Sequence, residues 1–468
     1  MFMPTSSRHY NFIVYWTAIV AALGGLLFGL DQGFIANSLS TIDKVYDLDV
    51  AQGEHYSAVL AAGGILGALS SGVIARYLGR KRSLVIAGFL FTSMTIISAL
   101  IPPFEILYIC RFFLGYAVGL ASFVVPLYLS ETAPSKIRGS MGTLFQFMIT
   151  IGIFLISLTN YIMVEFISDE VSRLPLMFLV ITLFASLMFI GSLFLPESPR
   201  WLMLKGKNEL ALITLKKIYS KKEDLDRAIK EIQEAIANSK GVFEGIKKPY
   251  FIKILLVGVG LQMFQQLVGI NMMIYYAPTI FGYAEIHGFF AMMTVPVVNV
   301  LFTIPAIFLV EKWGRKKLLY FGATVMLVSL ISAGVAFSMI GGVNPMDIGA
   351  IPKGILLISA VVYIFGFAIS WGPMAWLVCA EIFPLEGREV GMTVTTMVNW
   401  TFAGLVMGTA LSFMQAFGNA SIFFVFAGFC LLSMLFLYFF VPETKGVTLE
   451  QIEAKLKKGY KLRDIGES

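Results

Sequence analysis

Charged residues are scarce in this sequence. Only 14% of its 468 residues are Asp, Glu, Lys or Arg, whereas 57% are apolar, and the mean hydropathy is +0.81. A soluble globular chain carries about 25% charged residues, so the composition indicates that most of the surface faces lipid. The three cysteines, Cys110, Cys379 and Cys430, lie far apart in apolar runs, which excludes a disulfide framework and a zinc site.

The sequence also lacks a G-x-x-x-x-G-K-[ST] phosphate-binding loop. No metal, nucleotide, cofactor or covalent chemistry is therefore predicted, and we do not expect an enzyme. The first apolar run, from Phe12, is too long for a secretory signal peptide and has no A-x-A-like cleavage site where one would be expected. We interpret it as a retained anchor and first membrane span.

Long apolar runs, in contrast, are abundant. A bilayer core about 30 Å thick requires about 20 apolar residues in a helix. Twelve runs meet this requirement, near residues 12–37, 55–75, 83–101, 106–128, 139–163, 174–195, 251–280, 288–310, 317–339, 354–380, 389–413 and 420–440. The sequence therefore predicts an all-α membrane protein with twelve transmembrane helices.

The loops between these runs alternate in charge. Loops 76–82 and 312–317 and the segment 196–250 are basic, whereas loops 38–54, 164–173 and 281–287 are acidic or nearly neutral. Because cytoplasmic loops carry an excess of Lys and Arg, both termini are predicted in the cytoplasm. The net charge of +6 follows from this bias and does not indicate nucleic-acid binding. Of the 35 Lys and Arg, those outside cytoplasmic segments are Lys44, Arg111, Arg173 and Lys353.

The segment between the sixth and seventh runs is polar and has Leu and Ile at helical spacing, which predicts short amphipathic cytoplasmic helices. We expect a monomer embedded in a membrane. Its predicted divisions are an N-terminal half at 1–195, a linker at 196–250, a C-terminal half at 251–441 and a cytoplasmic tail at 442–468.

Three motifs occur twice, at similar distances. Gly79-Arg80-Lys81 recurs as Gly314-Arg315-Lys316, Pro196-Glu197-Ser198 recurs as Pro442-Glu443-Thr444, and Glu131, Pro134 and Arg138 recur with identical spacing as Glu381, Pro384 and Arg388. Each copy belongs to six apolar runs, so both copies enter the membrane in the same sense. Parallel repeats of this kind are typical of the major facilitator fold, whose substrate site lies between the halves.

The repeated charges all fall on the predicted cytoplasmic side. They could serve only to fix orientation, or they could form salt bridges between the halves that close this side and break during transport. Equal spacing in the two copies favours the second interpretation, and exposed pairs worth about 0–1 kcal/mol suit a gate. The predicted gating charges are Arg80, Glu131, Arg138, Glu197, Arg200, Glu311, Arg315, Glu381, Arg388 and Glu443.

Five motifs together resemble the sugar porter family of the major facilitator superfamily, with the nearest likeness to bacterial galactose–proton symporters. They are RFFLG at 111–115, PLYLSETAP at 126–134 followed by RG at 138–139, PESPRWL at 196–202, QQLVGIN at 265–271 followed by YY at 275–276, and VPETKG at 441–446. The tail sequence LRDIG at 462–466 adds to this likeness. The family's first loop motif carries an acid where this chain has Ala75, while the second copy keeps Glu311.

Two charges lie inside predicted spans, where charge is costly and indicates function. Asp31 lies about 28 Å from the cytoplasmic face and Arg111 about 9 Å from the outer face, so the two could meet in the outer third of the membrane. They could form a static ion pair. Alternatively, Asp31 carries a proton and Arg111 tunes the pKa of its carboxyl. The resemblance implies this role, because passive relatives commonly have Asn at the position of Asp31.

Uncharged amides in the spans match the hydroxyls of a sugar because they both donate and accept hydrogen bonds. Each could instead join helices to one another. Gly269 could break the seventh span near the glutamines at 265 and 266. The resemblance implies sugar contacts at Gln146, Gln265, Gln266, Asn271, Asn299, Trp376 and Asn399, an outer gate at Tyr275 and Tyr276, and a bend in span 10 at Gly372 and Pro373.

The prediction is proton-coupled symport of a monosaccharide, with galactose or glucose ahead of xylose or arabinose. A passive sugar uniporter is the first alternative and predicts uptake without external alkalinisation. A sugar sensor that binds without transport is the second alternative.

Overall fold

The structure is a computed structural model that describes residues 12–133, 138–237, 246–247, 249–283, 285–340, 349–383, 387–445, 455 and 458–461. Helices make up most of this part of the chain, and it contains no β-strand. Twelve helical stretches within it are long and apolar enough to cross a bilayer. The prediction of an all-α protein with twelve membrane spans is therefore confirmed.

The spans are numbered in chain order. Spans 1 to 6 are Phe12–Tyr46, Val50–Leu78, Arg80–Ala99, Phe104–Thr132, Arg138–Phe166 and Glu170–Leu193. Three short helices follow, Pro199–Leu204, Asn208–Ile218 and Lys222–Ala237. The remaining spans are 7a (Pro249–Leu267), 7b (Ile270–Tyr283), 8 (Phe289–Trp313), 9 (Arg315–Ile340), 10a (Ala350–Ile369), 10b (Trp371–Ile382), 11a (Arg388–Met407), 11b (Ala410–Phe417) and 12 (Ser421–Phe440).

Span 7 breaks at Gly269, as predicted. The glycine has φ +98°, a left-handed conformation that residues with a Cβ rarely adopt. Span 10 breaks at Ser370, which has φ −132° and ψ −88°. Gly372 and Pro373 therefore lie in the first turn of span 10b, where proline is tolerated because the first backbone N–H groups of a helix have no intrahelical partner.

Each half has its own internal packing, and the two halves meet along three seams. Span 1 packs on span 5, span 2 on span 4 and span 3 on span 6, while span 9 packs on spans 10a and 12. Across the halves, span 2 packs on span 11a, span 5 on span 8, and span 1 on span 7b. Span 10b also contacts span 5, so a functional site between the halves is lined by spans 1, 2, 5, 7, 8, 10 and 11.

Glycines bring spans 1 and 5 together. Gly25, Gly29 and Gly33 recur every fourth residue on one face of span 1. A Cβ added at Gly29 would collide with the backbone carbonyl oxygen of Ile149, and one added at Gly152 would collide with that of Leu26. Without a hydrophobic driving force between helices in lipid, such close backbone packing is a main source of association.

We expect Gly29→Val to prevent this packing and to lower the melting temperature of the purified protein by more than 5 °C. Overpacking a well-packed site costs about 1–3 kcal/mol, and more where the obstacle is backbone. Thermal unfolding followed by size-exclusion chromatography measures the change. Gly428→Val is the matched control because no atom lies within 4 Å of a Cβ at that position in span 12. Equal melting temperatures for the two variants would contradict the prediction.

Candidate functional site

A buried ion pair joins spans 1 and 4. Arg111 Nη1 donates to Asp31 Oδ1, and the two side chains are 1% and 2% exposed. The guanidinium carbon of Arg111 also lies 5.7 Å from the centre of the Tyr56 ring, in cation–π range. The structure therefore brings together the two charges whose estimated depths suggested that they meet.

The pair is incompletely satisfied. Asp31 Oδ2 and Arg111 Nε and Nη2 have no hydrogen-bond partner among the described residues. Buried polar atoms without partners are costly, so such an arrangement is poor as a purely structural bridge. Tyr275 on span 7b is buried, and span 7b packs on span 1, which carries Asp31. The ion pair of the first half therefore includes a residue of a span that contacts the second half.

Amide side chains of spans 7 and 11 form a buried hydrogen-bond network. Gln266 Nε2 donates to Asn399 Oδ1 and to Gln265 Oε1, both at 3.1 Å, and Asn271 Nδ2 donates to Gln266 Oε1 at 2.6 Å. Asn399 Nδ2 in turn donates to Gln265 Oε1 at 2.5 Å and to Gln262 Oε1 at 2.7 Å. The break at Gly269 lets Asn271 join residues that one straight helix would place on another face.

The network extends to the break in span 10. Gln265 Nε2 donates to the backbone oxygens of Gly372 and Trp371, at 3.2 Å and 3.4 Å. Four predicted sugar contacts, namely Gln265, Gln266, Asn271 and Asn399, thus share one network. Gln262 is a member that the sequence analysis missed, although its position three and four residues before Gln265 and Gln266 places it on the same helix face.

The other three predicted sugar contacts lie on different elements. Asn299 on span 8 is buried, whereas Gln146 on span 5 and Trp376 on span 10b are half-buried. Among the described side chains, none of the three takes part in the hydrogen bonds of the amide network. Gln146 and Asn299 belong to spans 5 and 8, which pack on each other across the halves.

Tyr276, a predicted outer-gate residue, makes close contacts at its end of span 7b. Its hydroxyl donates to the backbone oxygen of Met407, the last residue of span 11a. Spans 11a and 11b are separated by Gly408 and Thr409, a break that the sequence analysis did not predict. Tyr275 and Tyr276 are both buried, so span 7b is closed against its neighbours.

The repeated charges form two clusters with matching geometry. In the first half, Arg80 Nη2 and Nε donate to Glu131 at 2.8 and 2.9 Å, and the backbone N–H groups of Arg80 and Lys81 donate to Glu197 at 2.9 and 3.2 Å. Ser198 Oγ donates to Glu131 at 2.5 Å. Burial raises the pKa of the Glu197 carboxyl, although its backbone donors lower it in part.

The second half repeats this pattern residue by residue. Arg315 Nη2 and Nε donate to Glu381 at 2.7 and 3.2 Å, and Glu443 accepts from the backbone N–H groups of Arg315 and Lys316 at 2.9 and 3.0 Å. Thr444 Oγ1 donates to Glu381 at 2.5 Å. The internal repeat inferred from the sequence therefore holds at the level of individual hydrogen bonds.

The prediction that the repeated charges form exposed salt bridges between the halves is wrong for the pairs made by Arg80 and Arg315. Arg80 pairs with Glu131, and Arg315 with Glu381, inside a single half, and the Arg80 and Glu131 side chains are each 3% exposed. The physical reason is that each arginine lies directly after a loop glycine, beside the end of its own half's fourth or tenth span. A contact across the halves comes instead from Glu389, which the sequence analysis missed and which lies 3.4 Å from Arg80.

The remaining predicted gating residues are less defined. The side chains of Arg138 and Glu311 lie outside the described residues. Arg200 lies in the first turn of the helix Pro199–Leu204, and Arg388 begins span 11a. The register of the two copies, fixed by Arg80 and Arg315, aligns Glu311 with Arg76 rather than with Ala75. The first copy therefore has a base where the second has an acid.

We expect substitution of the two acids that contact Arg80 to lower the stability of the protein by very different amounts. Glu131→Gln removes the nearer and buried charge partner of Arg80, which costs about 3–5 kcal/mol, and should lower the melting temperature by more than 5 °C. Glu389 is 35% exposed, so Glu389→Gln should cost about 0–1 kcal/mol and lower it by less than 2 °C. Thermal unfolding of both variants measures the two melting temperatures. A larger decrease for Glu389→Gln would mean that Glu389, and not Glu131, is the more important partner of Arg80.

Comparisons with known proteins extend over nearly the whole chain. A family model described as Sugar (and other) transporter matches residues 17–456. The chain is 38% identical over 464 residues to the galactose-proton symporter of Escherichia coli (strain K12), covering 98% of this chain and 98% of that protein. It is 34% identical over 480 residues to the arabinose-proton symporter of the same strain, covering 99% and 98%.

Two solved structures have the same fold as this chain. The proton:xylose symporter XylE of the major facilitator superfamily, bound to 6-bromo-6-deoxy-D-glucose, superposes with a TM-score of 0.80 at 31% identity. The match covers 94% of this chain and 98% of that one. The partially occluded inward-open form of XylE from E. coli superposes with a TM-score of 0.79 at 30% identity, covering 93% and 99%.

Proposed function

The chain belongs to the sugar transporter family of the major facilitator superfamily, and on this premise we propose that it imports a monosaccharide together with a proton by alternating access. The proposed substrate is a hexose, galactose or glucose. The proposed location is a bacterial inner membrane, with several spans and both termini in the cytoplasm. The galactose-proton symporter of E. coli is similar over 98% of its length, which supports both the sugar class and the coupling.

The observation that carries the coupling is the buried, incompletely satisfied pair of Asp31 and Arg111. While Arg111 is close, its charge favours the carboxylate form of Asp31, and when the two separate, burial favours the neutral acid. The unpartnered Asp31 Oδ2 offers a place for the proton. A movement of span 7b against span 1 that changes the distance between Asp31 and Arg111 can thus bind the proton in one state and release it in another.

The amide network is the proposed sugar site. Its side chains now satisfy one another, so a sugar that enters must exchange these hydrogen bonds for bonds to its own hydroxyls. Because every amide both donates and accepts, the exchange leaves few buried groups without a partner. Gln146, Asn299 and Trp376 complete the site from other spans, with the indole of Trp376 facing the apolar side of the sugar ring.

In the proposed cycle, protonated Asp31 and the sugar bind from outside. Span 7b, with Tyr275 and Tyr276, closes over the sugar. The inner contact between Arg80 and Glu389 then breaks, span 10b bends at the break beside Gly372 and Pro373, and both ligands leave inward. The two charge clusters hold the inner ends of each half together while the halves rock.

The division of the chain follows the same scheme. Residues 1–195 and 251–441 are the proposed rocking halves, 196–250 the linker and 442–468 the tail, and the carrier acts as a monomer in the lipid bilayer. No catalytic step, metal or cofactor enters this proposal.

Counterflow in proteoliposomes tests the function. Vesicles loaded with galactose, glucose, xylose or arabinose are diluted into the labelled sugar, and external pH is followed in a lightly buffered medium. We expect exchange of at least one hexose and external alkalinisation on its uptake. Exchange without alkalinisation would establish a passive uniporter, and sugar binding without exchange would establish a sensor.

A further inference from the structure

Glu54, which has no role in the cycle proposed above, is a buried carboxylate that contacts the opposite half. It lies in the second turn of span 2 and is 0% exposed. Its Oε1 accepts from the backbone N–H of Leu411 at 2.5 Å, and both of its oxygens accept from the N–H of Ser412 at 3.2 Å. The hydroxyl of Ser412 also donates to Glu54 Oε2. Four hydrogen bonds thus join one side chain of the first half to span 11b of the second.

These donors are the ones that a helix cap normally satisfies. Span 11b begins at Ala410, so Leu411 and Ser412 are its second and third residues, whose N–H groups have no intrahelical acceptor. Thr409, at the cap position, makes no side-chain cap bond, and its hydroxyl donates back to Leu405 O at 2.7 Å. Glu54 therefore supplies the missing cap from another helix, with a negative charge at the positive end of the helix dipole.

The other side of the same break is also satisfied by a neighbour. Tyr276 of span 7b donates to the oxygen of Met407, which has lost its helical acceptor role at the end of span 11a. Small residues bring span 2 close at this point, since a Cβ on Gly404 would lie 2.9 Å from Ala61 Cβ. The break in span 11 is therefore held by span 2 from one half and span 7b from the other.

We infer that Glu54 is a positioning residue that holds the outer side of the carrier closed by capping span 11b from the opposite half. The inference rests on the proposed function for its place in the cycle. Glu54 lies at the end of span 2 opposite the basic loop that follows Leu78, and hence at the proposed outer side. Opening that side separates spans 2 and 11, which leaves span 11b uncapped and exposes the carboxylate to water.

Cysteine labelling tests this without any transport. Ser57 lies one turn after Glu54 and is buried, so a Ser57→Cys reporter reacts with a membrane-impermeant maleimide only when the outer side opens. The native cysteines are buried as well. In purified protein without sugar, we expect Glu54→Gln to raise the labelling rate about tenfold to a hundredfold, because charged hydrogen bonds to the cap are lost.

The matched control is Glu170→Gln, since Glu170 is an acid at the same end whose side chain is 45% exposed. It should leave the labelling rate within twofold of the reporter alone. Ser412→Ala removes one donor and should raise the rate about twofold to fivefold. If Glu54→Gln does not fold, this milder variant decides the question. Unchanged labelling in the folded variants would overturn the inference.

Transport measurements distinguish a failure of the inference about Glu54 from a failure of the proposed function on which it rests. A larger outward-open population lowers the half-saturation concentration for external sugar, while the maximal rate falls because closure is less stable. A purely structural role would reduce the amount of folded protein without changing half-saturation. Normal transport with unchanged labelling would overturn the role of Glu54 alone, whereas altered labelling in a protein that transports no sugar would overturn the proposed function alone.

Discussion

Asp31→Asn should abolish uphill accumulation of sugar while sugar exchange continues. The asparagine oxygen can still accept from Arg111, so the local geometry is largely kept, but the side chain can no longer bind and release a proton. The sugar pathway through the amide network is untouched. Proteoliposomes with an imposed proton gradient measure accumulation, and counterflow without a gradient measures exchange.

The expected effect is large. One proton moving down about 100 mV supplies about 2.3 kcal/mol, and a pH difference of one unit adds about 1.4 kcal/mol. Together these could concentrate a neutral sugar several hundred-fold, at about 1.4 kcal/mol per factor of ten. In Asp31→Asn the ratio of internal to external sugar should fall to about one.

Asp49→Asn is the control for this experiment. Asp49 caps span 2 by accepting from Gln52 N at 2.8 Å, and asparagine caps a helix about as well as aspartate. This variant should accumulate sugar as the unaltered protein does. Full accumulation by Asp31→Asn would remove Asp31 from proton coupling, and loss of exchange together with accumulation would show that the substitution damages the carrier as a whole.

Gln266→Leu should weaken sugar binding about a hundredfold. Gln266 lies at the centre of the amide network, with hydrogen bonds to Gln265, Asn271 and Asn399. Leucine keeps much of the volume but leaves Asn271 and Asn399 with an unsatisfied bond and removes a partner of the sugar hydroxyls. Such losses cost about 1–3 kcal/mol each.

Binding titrations on the purified protein measure this effect apart from transport. Gln415→Leu is the matched control, because Gln415 is an exposed glutamine on span 11b and its loss should leave affinity unchanged. Equal affinity in Gln266→Leu and the unaltered protein would place the sugar site elsewhere.

Much of this architecture could be predicted from the sequence because bilayer thickness imposes a length on every span. The same geometry allowed the depths of Asp31 and Arg111 to be estimated and indicated that the two could meet, and the ion pair shows that they do. Gly269 was recognisable as a break because it stands between amides that could not share one helix face. The functional roles of these residues remain predictions.

What the sequence did not reveal depends on which helices become neighbours. Glu54 lies within a few residues of a span boundary, where an acid is ordinarily exposed to water, so nothing local indicates that it caps another helix. Gly408 resembles the many packing glycines, and its part in the break of span 11 depends on Tyr276 and Glu54. The partners of Arg80 could not be assigned either, because equal spacing of acids and bases does not tell which half supplies each.

The two charge clusters have a consequence for the cost of opening the inner face. Since the hydrogen bonds of each cluster lie largely within its own half, the proposed rocking leaves them in place. Among the contacts described above, the inner face gives up the partly exposed pair of Arg80 and Glu389, worth no more than about 1 kcal/mol. Because buried pairs are screened far less than exposed ones, turnover should depend little on ionic strength, despite the many charges at the cytoplasmic mouth.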